Sequence, residues 1–172
     1  MRHLVLALAL VALSAAAAGG LSDDGRCQAS SAKAGARCLQ HYVATVEACR
    51  LNADTACEDA RRAAGGTVEQ ILAAPAEPIA RYCSEANAVP LGYLSLADID
   101  ARIPEACADW GEDELNFAFA DDPASLSPAA QRCQRAVSLT LRILSNKAVN
   151  DFSRKCNLRA FEGHGCNHAA RA

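Results

Sequence analysis

The sequence predicts an all-α fold, a small helical domain stapled by disulfides, with two related longer helices and several short ones. Three observations carry this. Alanine is the commonest residue, and it is the strongest helix former. Aromatic residues make up only 5% of the chain, and β-branched runs of the kind that form strands are scarce. Nine cysteines are spread from Cys27 to Cys166, a density that reads as a disulfide framework in an oxidising compartment.

The chain opens on Met1-Arg2-His3, a short basic start, followed by an uncharged apolar run from Leu4 to Leu13 and then the small residues Ser14 to Gly20. This is the three-part pattern of a secretory signal peptide, with Ala16 and Ala18 meeting the small-x-small rule. Cleavage is expected after Ala18, making residues 1–18 the signal peptide and 19–172 a single Cys-rich helical domain. A membrane-spanning helix needs roughly 20 apolar residues, and this run is shorter. No cysteine lies near the cut to carry a lipid, and no later stretch predicts a transmembrane segment. The expected localisation is secreted or periplasmic.

The first helix is expected over 31–50, with Leu39, Tyr42, Val43 and Val46 on one apolar face at i, i+3, i+4, i+7. Asp54-Thr55 predicts the cap of a short helix ending at Gly65-Gly66. Thr67 with Gln70 resembles a capping box for another helix that stops before Pro75. A helix from Pro78 to about Ala86 carries Cys83. Ser95 with Asp98 predicts a short helical turn before Pro104. Residues 109–123 read as an acidic loop around Phe117 and Phe119. Ser127-Pro128 is a good N-cap and N1 pair, opening the longest helix, about 128–155, with Ala136, Val137, Leu141, Leu144 and Ala148 as its apolar stripe. The tail from Phe161 reads as irregular.

Two segments align. Arg26-Cys27-Gln28 is followed by Cys49 and Cys57, at spacings of 22 and 8; Arg132-Cys133-Gln134 is followed by Cys156 and Cys166, at 23 and 10. The run from Arg26 through Lys33-Ala34-Gly35-Ala36 to Cys49 resembles uncharacterised exported bacterial proteins. These are Cys- and Ala-rich and helical, with Cys-Gln, a Lys-Ala-Gly-Ala-like helix, then a cysteine about twenty residues on. The resemblance covers 26–57 and, less fully, 132–166, where Val137-Ser138-Leu139-Thr140 replaces the Lys-Ala-Gly-Ala core. It implies a Cys-rich helical fold and transfers no activity or functional residue.

Nine cysteines allow at most four bridges within one chain. The expected disulfide residues are Cys27, Cys49, Cys57, Cys83, Cys107, Cys133, Cys156 and Cys166. Antiparallel packing of the two related helices, each about 33 Å between its cysteines at 1.5 Å per residue, would bring Cys27 near Cys156 and Cys49 near Cys133. Local closure, Cys49 with Cys57 and Cys156 with Cys166, is the rival. Cys38 has no equivalent in the second segment, where Leu144 stands, so it is the candidate free thiol, behaving as a small buried hydrophobe. The functional alternative for the odd thiol is a bridge between two chains, giving a dimer.

The formal net charge is −3, and loss of Arg2 with the leader makes it −4. No basic stripe stands out, which argues against nucleic acid and dense anionic membranes as partners. The sharpest chemical cluster is His164-Gly165-Cys166-Asn167-His168, in which His164, Cys166 and His168 are candidate zinc or copper ligands. The preferred alternative places Cys166 in a disulfide with both imidazoles solvated, so no metal and no cofactor are expected. There is no Cys-x-x-Cys-His for haem, no Cys-x-x-Cys redox pair and no Gly-x-Ser-x-Gly elbow. A Cys–His hydrolase drawn from His41, His164 or His168 lacks a family signature around any cysteine. A calcium loop starting at Asp98 fails at Arg102 and Ile103. The reading is therefore a non-catalytic secreted or cell-envelope module, binding or structural, with an unknown protein or small-molecule partner. The alternative is a small apolar-ligand or metal-binding carrier, and a small exported enzyme ranks third.

Overall fold

The computed structural model describes residues 22–120 and 122–151 and is all-α, with no strand among those residues. The element order is α1 (Asp23–Arg50), α2 (Thr55–Arg62), α3 (Thr67–Ala73), α4 (Ala76–Tyr82), α5 (Glu85–Ala88), α6 (Leu96–Ala118), a 3-10 turn (Pro123–Ser125) and α7 (Pro128–Asp151). The predicted leader and the His164–His168 cluster lie outside the described residues. No described helix is long and apolar enough to cross a membrane.

Helix α1 is the centre of the fold. It begins eight residues earlier than expected, because the Ser22 side chain accepts from Gly25 N–H and Asp23 and Asp24 favour the positive end of the helix. Its apolar face is the expected one: Leu39, Tyr42, Val43 and Val46 are buried against Val68 of α3 and Leu115 of α6. A second cluster gathers Cys27, Ile79, Cys83, Ala88, Ile99 and Ile103 at the other end.

The largest departure from expectation is α6. Pro104 was expected to end a short turn, and 109–123 to form a loop. Instead, one helix runs through Pro104 and carries most of the acidic segment. Its buried residues Ile99, Ile103, Cys107, Gly111, Leu115 and Ala118 form a continuous stripe that lies along α1. Burying that stripe outweighs the backbone hydrogen bond that Pro104 forgoes, and the helix leaves Asp109 and Asp113 exposed while Glu112 turns to partners on α1 and α2. Ser95 caps the helix as predicted, accepting from Asp98 N–H at 3.1 Å. The Thr67–Gln70 capping box is absent: Gly66 is the N-cap residue, and Gln70 Nε2 donates to Gly65 O at 3.1 Å. A side chain on Gly66 would meet Arg61 O at 2.5 Å, so only glycine fits. The predicted 78–86 helix is split, with Cys83 extended between α4 and α5.

Among the described residues three disulfides close the fold: Cys27–Cys83, Cys38–Cys107 and Cys49–Cys57, with Cα separations of 4.6, 5.9 and 5.5 Å. The Cys38 expectation is corrected. Cys38 faces α6, which lies outside both related segments, so kinship between segments said nothing about its neighbours. The nested pairing is overturned for Cys27 and Cys49; the local Cys49–Cys57 closure is the one found. Cys133, expected in a bridge, is exposed and has no disulfide partner among the described residues. Cys156 and Cys166 lie outside the described residues.

Helix α7 docks by a polar seam rather than by its predicted stripe. Ser138 Oγ donates to Glu47 Oε1 at 2.5 Å and Arg142 Nη1 to Glu47 Oε2 at 2.8 Å. Ser138 is 2% exposed, while Val137 and Leu144 of the predicted stripe are 37% and 56% exposed.

Candidate functional site

Along α1 the residues Gln28, Ser31, Ala32, Gly35, Ala36 and Leu39 recur at helical spacing and share one face. Four of them are Ser, Ala or Gly, so this face stands back from its neighbour. Opposite it α6 presents Ile103, Ala106, Cys107 and Trp110, and the gap between the helices is an apolar groove of about 720 Å³. Leu91, Tyr93 and Ala148 of α7 complete its lining. The Cys38–Cys107 bond holds the two walls in register. Gly35 is not a tight contact, since an added Cβ would stand 3.7 Å from Ile103; its smallness makes room.

The groove is mostly carbon, with few polar groups at its margin. Arg102 is on the rim, where it donates to Asp98 at 2.8 Å. Gln28 Oε1 is buried without a hydrogen-bond partner among the described residues. Trp110 is 60% exposed although it is the only tryptophan of the chain. A large ring left on the lip of an apolar groove is ordinary for a ligand-contacting residue.

A separate polar network joins α1, α2 and α6. Tyr42 Oη donates to Glu112 at 2.5 Å and accepts from Arg62 at 2.8 Å. Arg62 also reaches Glu58 and Glu112. Arg50 bonds Glu58 at 3.1 Å and Glu112 at 3.2 Å. Burial pushes the Glu58 and Glu112 carboxyls up, but hydrogen bonds and the Arg50 and Arg62 charges outweigh it and hold both below their ordinary value. Burial opposes the Arg62 charge, yet its bonds to Glu112, Tyr42 and Glu58 raise its pKa. Burial, with the bond to Glu112, likewise raises that of the Tyr42 hydroxyl. Every shift locks the state already present at neutral pH. A general acid or base needs the opposite, a pKa brought toward the working pH, so this network is a clasp.

The sequence-predicted site residues are dispersed. Cys27, Cys38, Cys49, Cys57, Cys83 and Cys107 are in bridges. No three His, Cys, Asp or Glu side chains gather as metal ligands among the described residues, and His164, Cys166 and His168 lie outside them. The groove residues of α6, Trp110 above all, escape the sequence reading because the acids of 109–114 mask a helical segment. The i, i+4 recurrence of Ile99, Ile103, Cys107, Gly111 and Leu115 was the signal that finds them. Comparison with family models, curated proteins and solved structures finds no match.

Proposed function

We propose that this chain is an exported, non-catalytic binding module that carries a small apolar ligand between α1 and α6. The observation that supports the reading is the groove: about 720 Å³, walled by small residues on one side and by Ile103 and Trp110 on the other. That volume falls within the range of small-molecule sites, which are concave and mainly apolar. The three bridges favour an oxidising destination, secreted or periplasmic.

Trp110 makes the test direct. Titration of the oxidised protein with a medium-chain fatty acid or an apolar naphthalene dye should shift tryptophan emission to the blue, saturably and at one ligand per chain. Ala106→Phe, which fills the groove, should abolish the shift while leaving the helical circular dichroism unchanged. An emission spectrum indifferent to every apolar probe would refute the carrier reading.

A further inference from the structure

A second groove of about 460 Å³ lies on the opposite side of α1, about 200° round the helix axis from the first by the 100° step per residue. Lys33, Arg37 and His41 recur at i, i+4, i+8 along this face, and α4 adds Arg81 from across the groove. All four are exposed. Lys33, Arg37 and Arg81 take part in none of the ion pairs among the described residues. Glu77 is the sole carboxylate on the lining, and no ion pair joins it to them.

This concentration is unexpected in a chain of net charge −3. Like charges four residues apart on a helix repel and weaken it; a bound anion relieves that repulsion. The two walls are also fixed before any ligand arrives. The Cys27–Cys83 bond ties the end of α4 to α1, and Ser30 Oγ donates to Pro78 O at 3.1 Å between the same helices. The guanidiniums thus stand on a braced frame, where Arg suits phosphate and carboxylate oxygens. The remaining wall is apolar, with Ile71, Pro75 and the exposed Tyr82 ring, over which Arg81 stacks at 5.4 Å.

From this geometry we infer that the α1–α4 groove binds a small organic anion, its phosphate or carboxylate groups meeting Arg37, Arg81 and Lys33 and its apolar body lying against Tyr82 and Ile71. The site is distinct from the α1–α6 groove and does not depend on the carrier reading.

The probe is 1-naphthyl phosphate, titrated calorimetrically into the oxidised protein at low salt, with neutral 1-naphthol as control. Saturable one-to-one binding of the phosphate is expected, weakened by raised ionic strength. Arg37→Ala with Arg81→Ala should weaken it at least tenfold. Arg132→Ala with Arg135→Ala removes the same charge from α7 and should change it less than twofold. Ala106→Phe, which blocks only the first groove, should leave it unaltered. The proposal is overturned by the absence of saturable binding, by equal losses in the two arginine pairs, by naphthol binding as tightly as the phosphate, or by sensitivity to Ala106→Phe alone.

Discussion

Gly111 shows how much one missing methyl matters. A Cβ there would stand 2.5 Å from Tyr42 Cδ1, ring carbon that cannot swing aside because its hydroxyl is held by Glu112 and Arg62. Gly111→Ala should therefore cost about 1–3 kcal/mol, the range for overpacking a core, read as a lower urea midpoint. Tyr42→Phe removes the hydroxyl without moving the ring and should cost about 1–2 kcal/mol. The carboxylates around it set a pH dependence. Glu58 and Glu112 have folded pKa values below their ordinary 4.5, so the unfolded chain binds protons first as pH falls. Their contribution is complete above the unfolded value and drains away as pH drops through the lowered folded values. Urea midpoints measured from pH 6 to 3 should fall, and Glu58→Gln with Glu112→Gln should flatten that fall. A slope unchanged by the double variant would remove the clasp from the account of acid stability.

At the scale of elements, α6 and α7 are held by opposite means. The buried stripe of α6 and the Cys38–Cys107 bond seat it on α1. Helix α7 relies on Glu47, which is 5% exposed, with Ser138 and Arg142 as its partners. Removing one member of a buried ion pair strands the other and costs about 3–5 kcal/mol. Arg142→Ala should therefore loosen α7 selectively. Amide exchange across 128–148 should accelerate by two to three orders of magnitude, while that of α1 and α6 changes far less. Uniform acceleration throughout the chain would show that α7 belongs to the same cooperative unit. The sequence pattern pointed elsewhere, to Val137 and Leu144, because apolar periodicity reports which face prefers burial and not which face receives a partner.

For the whole molecule, the bridges dominate. Cys27–Cys83 and Cys38–Cys107 close separations of 56 and 69 residues. On the chain-entropy account each adds about 4 kcal/mol by restricting the denatured state, against about 2–3 kcal/mol for a loop as short as that of Cys49–Cys57. With stability of small domains at about 5–15 kcal/mol, reduction should abolish cooperative unfolding near 37 °C. Peptide mapping without reduction should recover the three pairs. Finding Cys38 unbridged, or Cys27 joined to Cys156, would contradict the fold. The predicted leader is checked separately by intact mass: protein from the native host should begin at Gly19 or within a few residues.

The helical class, the apolar face of α1 and the caps at Asp54, Ser95 and Ser127 were legible in the sequence, because each depends on residues within a turn or two of one another. So was the local Cys49–Cys57 closure as one of two alternatives. The seating of α6 on α1, the partner of Cys38, the polar docking of α7 and both grooves were decided only in three dimensions. Each depends on which helix lies beside α1. The small residues Ala32, Gly35 and Ala36 can line a close helix–helix contact or an open groove, and the sequence is the same for both. Trp110 and Arg81 stand where they do because disulfides between distant segments seat both α6 and α4 against one central helix.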